Sequence, residues 1–322
     1  MMEESKYLIF DNPIDSKKYY AKRCIHFLKS MYYTFQLNSK HPAQVTSKKY
    51  YVSICAIFKN EARYFKEWIE FHKIIGIDHF YLYNNFSDDN YEEVLKPYIE
   101  SGLVTLTQWP VKQGQMAAYK DCVGKYKEES NWICFLDLDE YIVPNHSDNI
   151  GMMLKPFEKN RPVVIAYWRL FGSSGMFDRD TKGLVTEDFY LCWRKYTNIG
   201  KFFYNTAYEY SDELPQNNAM HNHWVKLGSA VLPPVNFYNN VICGGIDVVC
   251  DDYPPVQINH YFTKSYSEYL EKKARGDAYY EMNPRDEEYF DWHDMKCQST
   301  DYNIRKYMIK LKKAMGVIDC PN

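Results

Sequence analysis

With 322 residues, 46% of them hydrophobic and 25% charged, the chain can bury one large core or two modest ones, and its net charge of −3 gives no global field for nucleic acid. No apolar run reaches membrane-spanning length and Met1 to Lys6 do not open a signal peptide, so a cytoplasmic setting is expected. Nine scattered cysteines with no C-x-x-C pair point to reduced thiols rather than a disulfide framework.

Residues 1–47 read as an N-terminal helical extension and linker, with a basic, aromatic helix from Asp15 to Phe35 and Pro42 in the linker. Tyr50 to Phe58 is a near-continuous apolar run with β-branched residues, the pattern of a buried strand. Asn60 to Ile75 places Phe65, Trp68, Ile69 and His72 at helical spacing, and Gly76 closes that helix. His79 to Tyr83 is a second strand, Glu92 to Glu100 a helix, Leu103 to Trp109 a third strand, Gln113 to Glu129 a helix and Asn131 to Leu136 a fourth strand. This alternation predicts parallel βαβ units, hence an α/β protein with a mostly parallel central sheet. Pro162 to Leu170 is a further strand, Gly183 to Val249 holds short aromatic strands, and Ser265 N-caps a helix reaching Met282. Asp301 to Met315 is a basic amphipathic helix that packs on the domain or rests on an anionic membrane surface.

The fourth strand ends in Asp137-Leu138-Asp139. On an extended strand residues two apart share a face, so both carboxylates should project from the carboxyl end of a buried strand, where open α/β sheets bind ligands. Hard oxygen donors there suit a divalent cation, which in turn suits a diphosphate. Asp139 is expected on the metal and Asp137 on a ribose hydroxyl or a water of the cation, while Glu140 should point away. His221 and His223, two apart, and His260 are candidates to complete the cation's shell; a zinc site with Cys243 and Cys250 is a further reading.

Other strand exits carry candidates for a nucleotide sugar. Lys59, Asn60, Glu61 and Arg63 follow the first strand, where Glu61 suits a ribose and Asn60 equally suits a helix cap. Asn85 and Asp88 follow the second, where Asp88 or Asp89 suits a pyrimidine N3–H or simply forms a turn. Gln115 opens the helix before the acidic strand, and Lys264, Lys272, Lys273 and Arg275 are candidates to hold phosphate. Glu187 and Asp188 are candidates for a general base, or a surface acidic pair.

These motifs, in this order, resemble glycosyltransferase family 92 of the GT-A superfamily. The segments that carry the resemblance are Phe58 to Arg63, Glu67 to His72, Tyr83 to Asp89, Gln115 to Asp121, Phe135 to Glu140, Trp168 to Gly175, Asn259 to Ser265 and Lys272 to Gly276. The resemblance implies a GT-A type Rossmann-like sandwich at 48–282, with a nucleotide half to about 140, an acceptor half beyond it and a C-terminal helical segment at 283–322. It further implies a UDP-sugar donor, galactose as the sugar, inversion at the anomeric carbon, and manganese (or magnesium) held by Asp139 and a later histidine. Either Glu187 or Asp188 would be the base. A glycan or lipid-linked glycan acceptor in bacterial surface polysaccharide synthesis completes the expectation. A sugar nucleotidyltransferase is less well matched, since Phe58 to Arg63 lacks a glycine-rich phosphate loop; a non-catalytic carbohydrate-binding module is the remaining alternative.

Overall fold

The computed structural model describes residues 8–9, 16–42, 47–180, 182–211, 214, 217, 221–243, 252–276 and 285–318. The predicted N-terminal helix is present as α1, Ser16–Ser39. Its end is docked: Leu37 is buried in the core and Tyr33 meets Trp224 edge-on at 5.2 Å between ring centroids. Further along, Ile25, Phe27, Leu28 and Phe35 are exposed.

The predicted alternation follows as β1 (Tyr50–Phe58), α2 (Ala62–Ile74), β2 (His79–Asn84), α3 (Tyr91–Glu100), β3 (Val104–Gln108), α4 (Gln115–Tyr126) and β4 (Ser130–Phe135). After these come β5 (Glu140–Pro144), β6 (Val163–Leu170), β7 (Gly200–Asn205), β8 (Val235–Asn236), β9 (Val256–His260), α5 (Tyr266–Arg275), α6 (Glu287–Met295) and α7 (Met308–Met315). One sheet of nine strands runs β3-β2-β1-β4-β7-β6-β9-β5, with β8 also paired to β6. Strands β1 to β4 are parallel, β7 is antiparallel to both its neighbours, and β9 runs parallel to β6. The expected α/β architecture with a mostly parallel sheet is therefore what the chain forms.

Packing follows from the sequence pattern. Val52 to Phe58 are buried without alternation because helices cover both faces of the sheet. Helix α2 buries Phe65, Trp68, Ile69 and Phe71, then ties into β5 through polar bonds. Trp68 Nε1 donates to the Glu140 carbonyl at 2.8 Å, and the Ile142 N–H donates to His72 Nε2 at 3.2 Å. Burial keeps that imidazole neutral, with its pKa lowered to about 3. The Ser265 cap is confirmed as a capping box with Glu268, and α5 stops at Gly276, whose φ of 80° suits a residue without Cβ. The rest of the predicted helix, to Met282, lies outside the described residues.

Two features differ from the sequence reading. Strand β7 is inserted antiparallel between β4 and β6, a pairing set by tertiary contact that local periodicity does not encode. The chain also turns at Asp137–Asp139, with Glu140 N–H donating to the Asp137 carbonyl at 3.1 Å, and leaves for the far edge of the sheet as β5. The acidic motif thus sits in a turn, not on an extended strand.

Among the described residues no helix is long and apolar enough to cross a membrane, and the cysteines form no disulfide. Cys55, Cys122 and Cys134 are buried, and burial pushes the Cys55 and Cys134 thiols well up. The basic C-terminal helix buries Met308 and Leu311 in the core, so this apolar face is spent on the domain.

Candidate functional site

A cleft of about 190 Å³ opens at the carboxyl ends of β1 and β4. It is lined by Lys59, Glu61, Gln115, Asp137, Asp139, Trp168, His221, His260, Phe262, Lys272 and Arg275 among others. A larger groove of about 820 Å³, walled by Lys48, Lys127, Thr206 and Lys226, lies at the opposite end of β4 and holds neither aspartate of the motif. The smaller one is lined by both aspartates of the motif.

Each acidic residue of the turn has its own environment. Asp137 Oδ1 accepts from Gln115 Nε2 at 3.1 Å, and Oδ2 accepts from Lys201 Nζ at 2.7 Å. Asp139 is paired with the Lys272 ammonium, and His260 Nε2 stands 3.7 Å from its Oδ1. Burial pushes the Asp139 carboxyl up, but Lys272, His260 and Lys264 outweigh it and hold it well below the usual range. Glu140 folds back under the turn: its Oε2 accepts the Asp137 N–H at 3.1 Å and lies 3.5 Å from Lys201. Burial pushes the Glu140 carboxyl well up, whereas Lys201, despite burial, is kept charged by Asp137 and Glu140.

This geometry corrects three expectations about a metal. Glu140 does not point away: one oxygen each of Asp139 and Glu140 and one His260 nitrogen lie within 4.8 Å of one another. Asp137 is outside that cluster, its carboxylate being shared between Lys201 and Gln115. His223 is also outside it; its ring is buried and stacked between Tyr210 and Phe202, at 4.2 and 5.2 Å between centroids. His221 lines the cleft instead, against Trp168 at 4.5 Å. The two histidines therefore do not work from one face. Of the zinc candidates, Cys250 lies outside the described residues and Cys243 does not line the cleft. The buried Oε1 of Glu140 has no hydrogen-bond partner, and a set of two carboxylates and an imidazole matches manganese or magnesium, so these residues fit the implied cation.

The expected nucleotide contacts divide. Lys59, Glu61, Gln115 and Asp137 do line the cleft. Glu61 is paired with Arg275 through Oε1, while its Oε2 is buried without a partner. Asn60, Asn85, Asp88 and Arg63 do not line it. Asn60, at a left-handed φ of 54°, exchanges two hydrogen bonds with Asp88, donating to its Oδ1 and accepting its N–H. Asn85 donates to the Trp109 and Val111 carbonyls, and Arg63 faces Glu271. Lys264 is buried behind the cleft over the Tyr64 ring at 4.4 Å, and burial lowers its pKa to about 8.

Neither base candidate reaches the cleft. Glu67, buried in α2, accepts the N–H groups of Val185 and Thr186 at 2.8 and 2.9 Å and so pins the single turn Val185–Asp188 against α2. Glu187 then pairs with Lys312 of α7 at 2.6 Å, and Asp188 stands 3.5 Å from Arg179.

Sequence reasoning missed Lys201 and, in the cleft lining, Arg285. Lys201 is the more informative case. It is fully buried between Asp137 and Glu140. The available signal was a single lysine inside the otherwise uncharged run Gly200–Asn205, where a strand-buried charge demands a partner.

The sequence model of glycosyltransferase family 92 matches residues 48–228, more than half of the chain, and the chain belongs to that family. It is similar to a family 92 protein of Oryza sativa, 35% identical over 142 residues, which are 43% of this chain and 24% of the relative. It is also similar to the galactan beta-1,4-galactosyltransferase GALS1 of Arabidopsis thaliana, 24% identical over 46% of this chain and 34% of the relative. A third, the beta-1,4-galactosyltransferase galt-1 of Caenorhabditis elegans, is 31% identical over 30% of this chain and 26% of the relative. The chain thus spans a quarter to a third of the length of these relatives. Among solved structures, Staphylococcus aureus TarS 1–349 overlaps at a TM-score of 0.34 and 14% identity, covering 57% of this chain and 60% of that one. The three relatives come from plants and a nematode, which gives the expected bacterial polysaccharide pathway no support.

Proposed function

We propose that this chain transfers galactose from UDP-galactose to a glycan acceptor with inversion, using a divalent cation held by Asp139 and His260. The observation that carries the reading is the convergence of Asp139, Glu140 and His260 within 4.8 Å at a cleft that also holds Lys272 and Arg275. Family membership supports glycosyl transfer. The names of the Arabidopsis and Caenorhabditis relatives support galactose and a β-1,4-linked galactan as acceptor.

In this reading Glu61 and Asp137 take the ribose hydroxyls, and Lys59, Lys272 and Arg275 face the diphosphate. The cation supplies charge neutralisation on the departing UDP. The acceptor oxygen bonds to the anomeric carbon as the bond from that carbon to UDP breaks, with the electron pair leaving on the diphosphate. The acceptor's proton goes to His221. Its Nδ1 lies 3.0 Å from the Gly200 carbonyl, which can only accept, so Nδ1 carries the hydrogen and Nε2 holds the lone pair. Burial, with Lys201 nearby, lowers this imidazole's pKa to about 4, so it is neutral at neutral pH with Nε2 unprotonated, and a weaker base than an ordinary histidine.

Calorimetry of UDP with and without Mn²⁺ tests the reading. Tight binding is expected with Mn²⁺, with Asp139→Asn losing at least about tenfold in UDP affinity while its melting curve stays cooperative. Unchanged affinity in that variant removes the metal site from this turn.

A further inference from the structure

We infer that Lys272 is a displaceable counter-ion: it neutralises Asp139 in the free protein and moves to the donor's diphosphate when cation and nucleotide enter, so that the two bind as a unit. This rests on the donor reading above and adds to it a residue whose partner changes.

The argument begins with charge. Two ionised pairs occupy the turn, Asp137 with Lys201 and Asp139 with Lys272, and Glu61 is paired with Arg275. Each of these three carboxylates already has its own counter-charge. A divalent cation arriving alone must therefore displace an ammonium from a carboxylate whose side chain is 7% exposed, and it leaves that ammonium without a counter-charge. A nucleoside diphosphate arriving with the cation supplies the missing anion. Lys201 cannot play this part, because it is fully enclosed. Lys272 can: its side chain keeps 21% exposure and its Nζ lies 4.2 Å over the Phe262 ring, with a flexible stem free to swing into the cleft.

Space points the same way. The cleft's 190 Å³ falls below the roughly 300–1,000 Å³ usual for ligand pockets, and Lys272 and Arg275 are among the side chains that fill it. Both project from the last turn of α5, which is strapped to the loop after β1: Arg275 bonds the Asn60 carbonyl and Lys59 bonds the Arg275 carbonyl, at 3.0 and 2.9 Å. Rotation of the Lys272 side chain, on a helix that Arg275 and Lys59 hold in place, makes room without moving the fold.

The test measures Mn²⁺ binding without nucleotide, by electron paramagnetic resonance or calorimetry, and then UDP binding at saturating Mn²⁺. Lys272→Met should bind Mn²⁺ alone about tenfold more tightly than the natural protein and UDP about tenfold more weakly, opposite signs that a general loss of structure does not produce. Lys272→Arg, which keeps the charge, should restore weak binding of Mn²⁺ alone. Lys273, a phosphate candidate by sequence, does not line the cleft, and Lys273→Met should match the natural protein in both measurements. Equal Mn²⁺ affinity in the natural protein and Lys272→Met, a joint loss of both ligands, or the same shifts in Lys273→Met would overturn the inference. If the natural protein binds no UDP, the donor reading fails; the Mn²⁺-only comparison contains no nucleotide and still decides the counter-ion role.

Discussion

The two halves of the molecule contribute opposite charges to one cleft. Glu61, Asp137, Asp139 and Glu140 come from the run β1 to β5, whereas Lys201, His221, His260, Lys272 and Arg275 come from β7 onward, and only Lys59 crosses that division. The first half is a regular βαβ scaffold that delivers carboxylates at strand ends. The second half is irregular and reaches in with cations and imidazoles from separate elements. Neither is a site alone, because a buried carboxylate without its cation, or the reverse, costs several kcal/mol.

Removing one charge at a time probes that division. The largest effect is expected from Lys201→Met, which leaves Asp137 and Glu140 without their buried cation and should cost about 3–5 kcal/mol in urea unfolding. A loss below about 1 kcal/mol would show that the halves are not charge-locked at this point. Next is His221→Ala. Transfer from UDP-galactose to a β-1,4-galacto-oligosaccharide should fall by roughly 10²-fold or more with UDP affinity preserved, while Glu187→Gln, outside the cleft lining and paired with Lys312, should transfer at the natural rate. The reverse pattern would return the proton transfer to the acidic pair. The smallest effect concerns Glu268, which joins α5 to Arg179 at 3.0 Å. Burial raises its carboxyl, but Arg179 and Ser265 prevail and hold it at about 2 against an ordinary 4.5. A carboxyl lowered in the folded state adds stability above its unfolded value and loses it as pH falls through the folded one. The stability gap between the natural protein and Glu268→Gln should therefore be constant above pH 4.5 and narrow between 4.5 and 2, as read from urea midpoints at a series of pH values.

The same division explains what could be read from the sequence. The alternation from Tyr50 to Phe135 is local: apolar runs, helical spacing and closing glycines each mark their own element, and the strands appear in the order that periodicity predicts. The Ser265 cap was equally local. Lys201 was not, because its meaning depends on β7 pairing with β4 across the sheet. Asp137 and Asp139 were correctly marked as a pair of carboxylates at one cleft, but on a wrong premise: a turn, rather than strand alternation, brings them there, and the same turn draws Glu140 in. Asn60 and Asp88 carry residue types that turn-formers and nucleotide contacts share, and their mutual hydrogen bonds are a tertiary pairing that the local sequence does not reveal. The place of Glu187 and Asp188 outside the cleft lining was illegible for a similar reason, since nothing in their own sequence reveals the grip of Glu67 on the preceding turn.

The late insertion of β7 also has a consequence in time. Lys201 follows Asp137 by 64 residues and Lys272 follows Asp139 by 133. At the roughly 5–20 residues per second of ribosomal synthesis, the acidic turn emerges several seconds before its first counter-charge and longer still before its second. During that interval β1 to β4 can pair, but the turn must stay hydrated at the open end of the sheet. The nascent first half is thus held short of completion until the chain that neutralises it has been made.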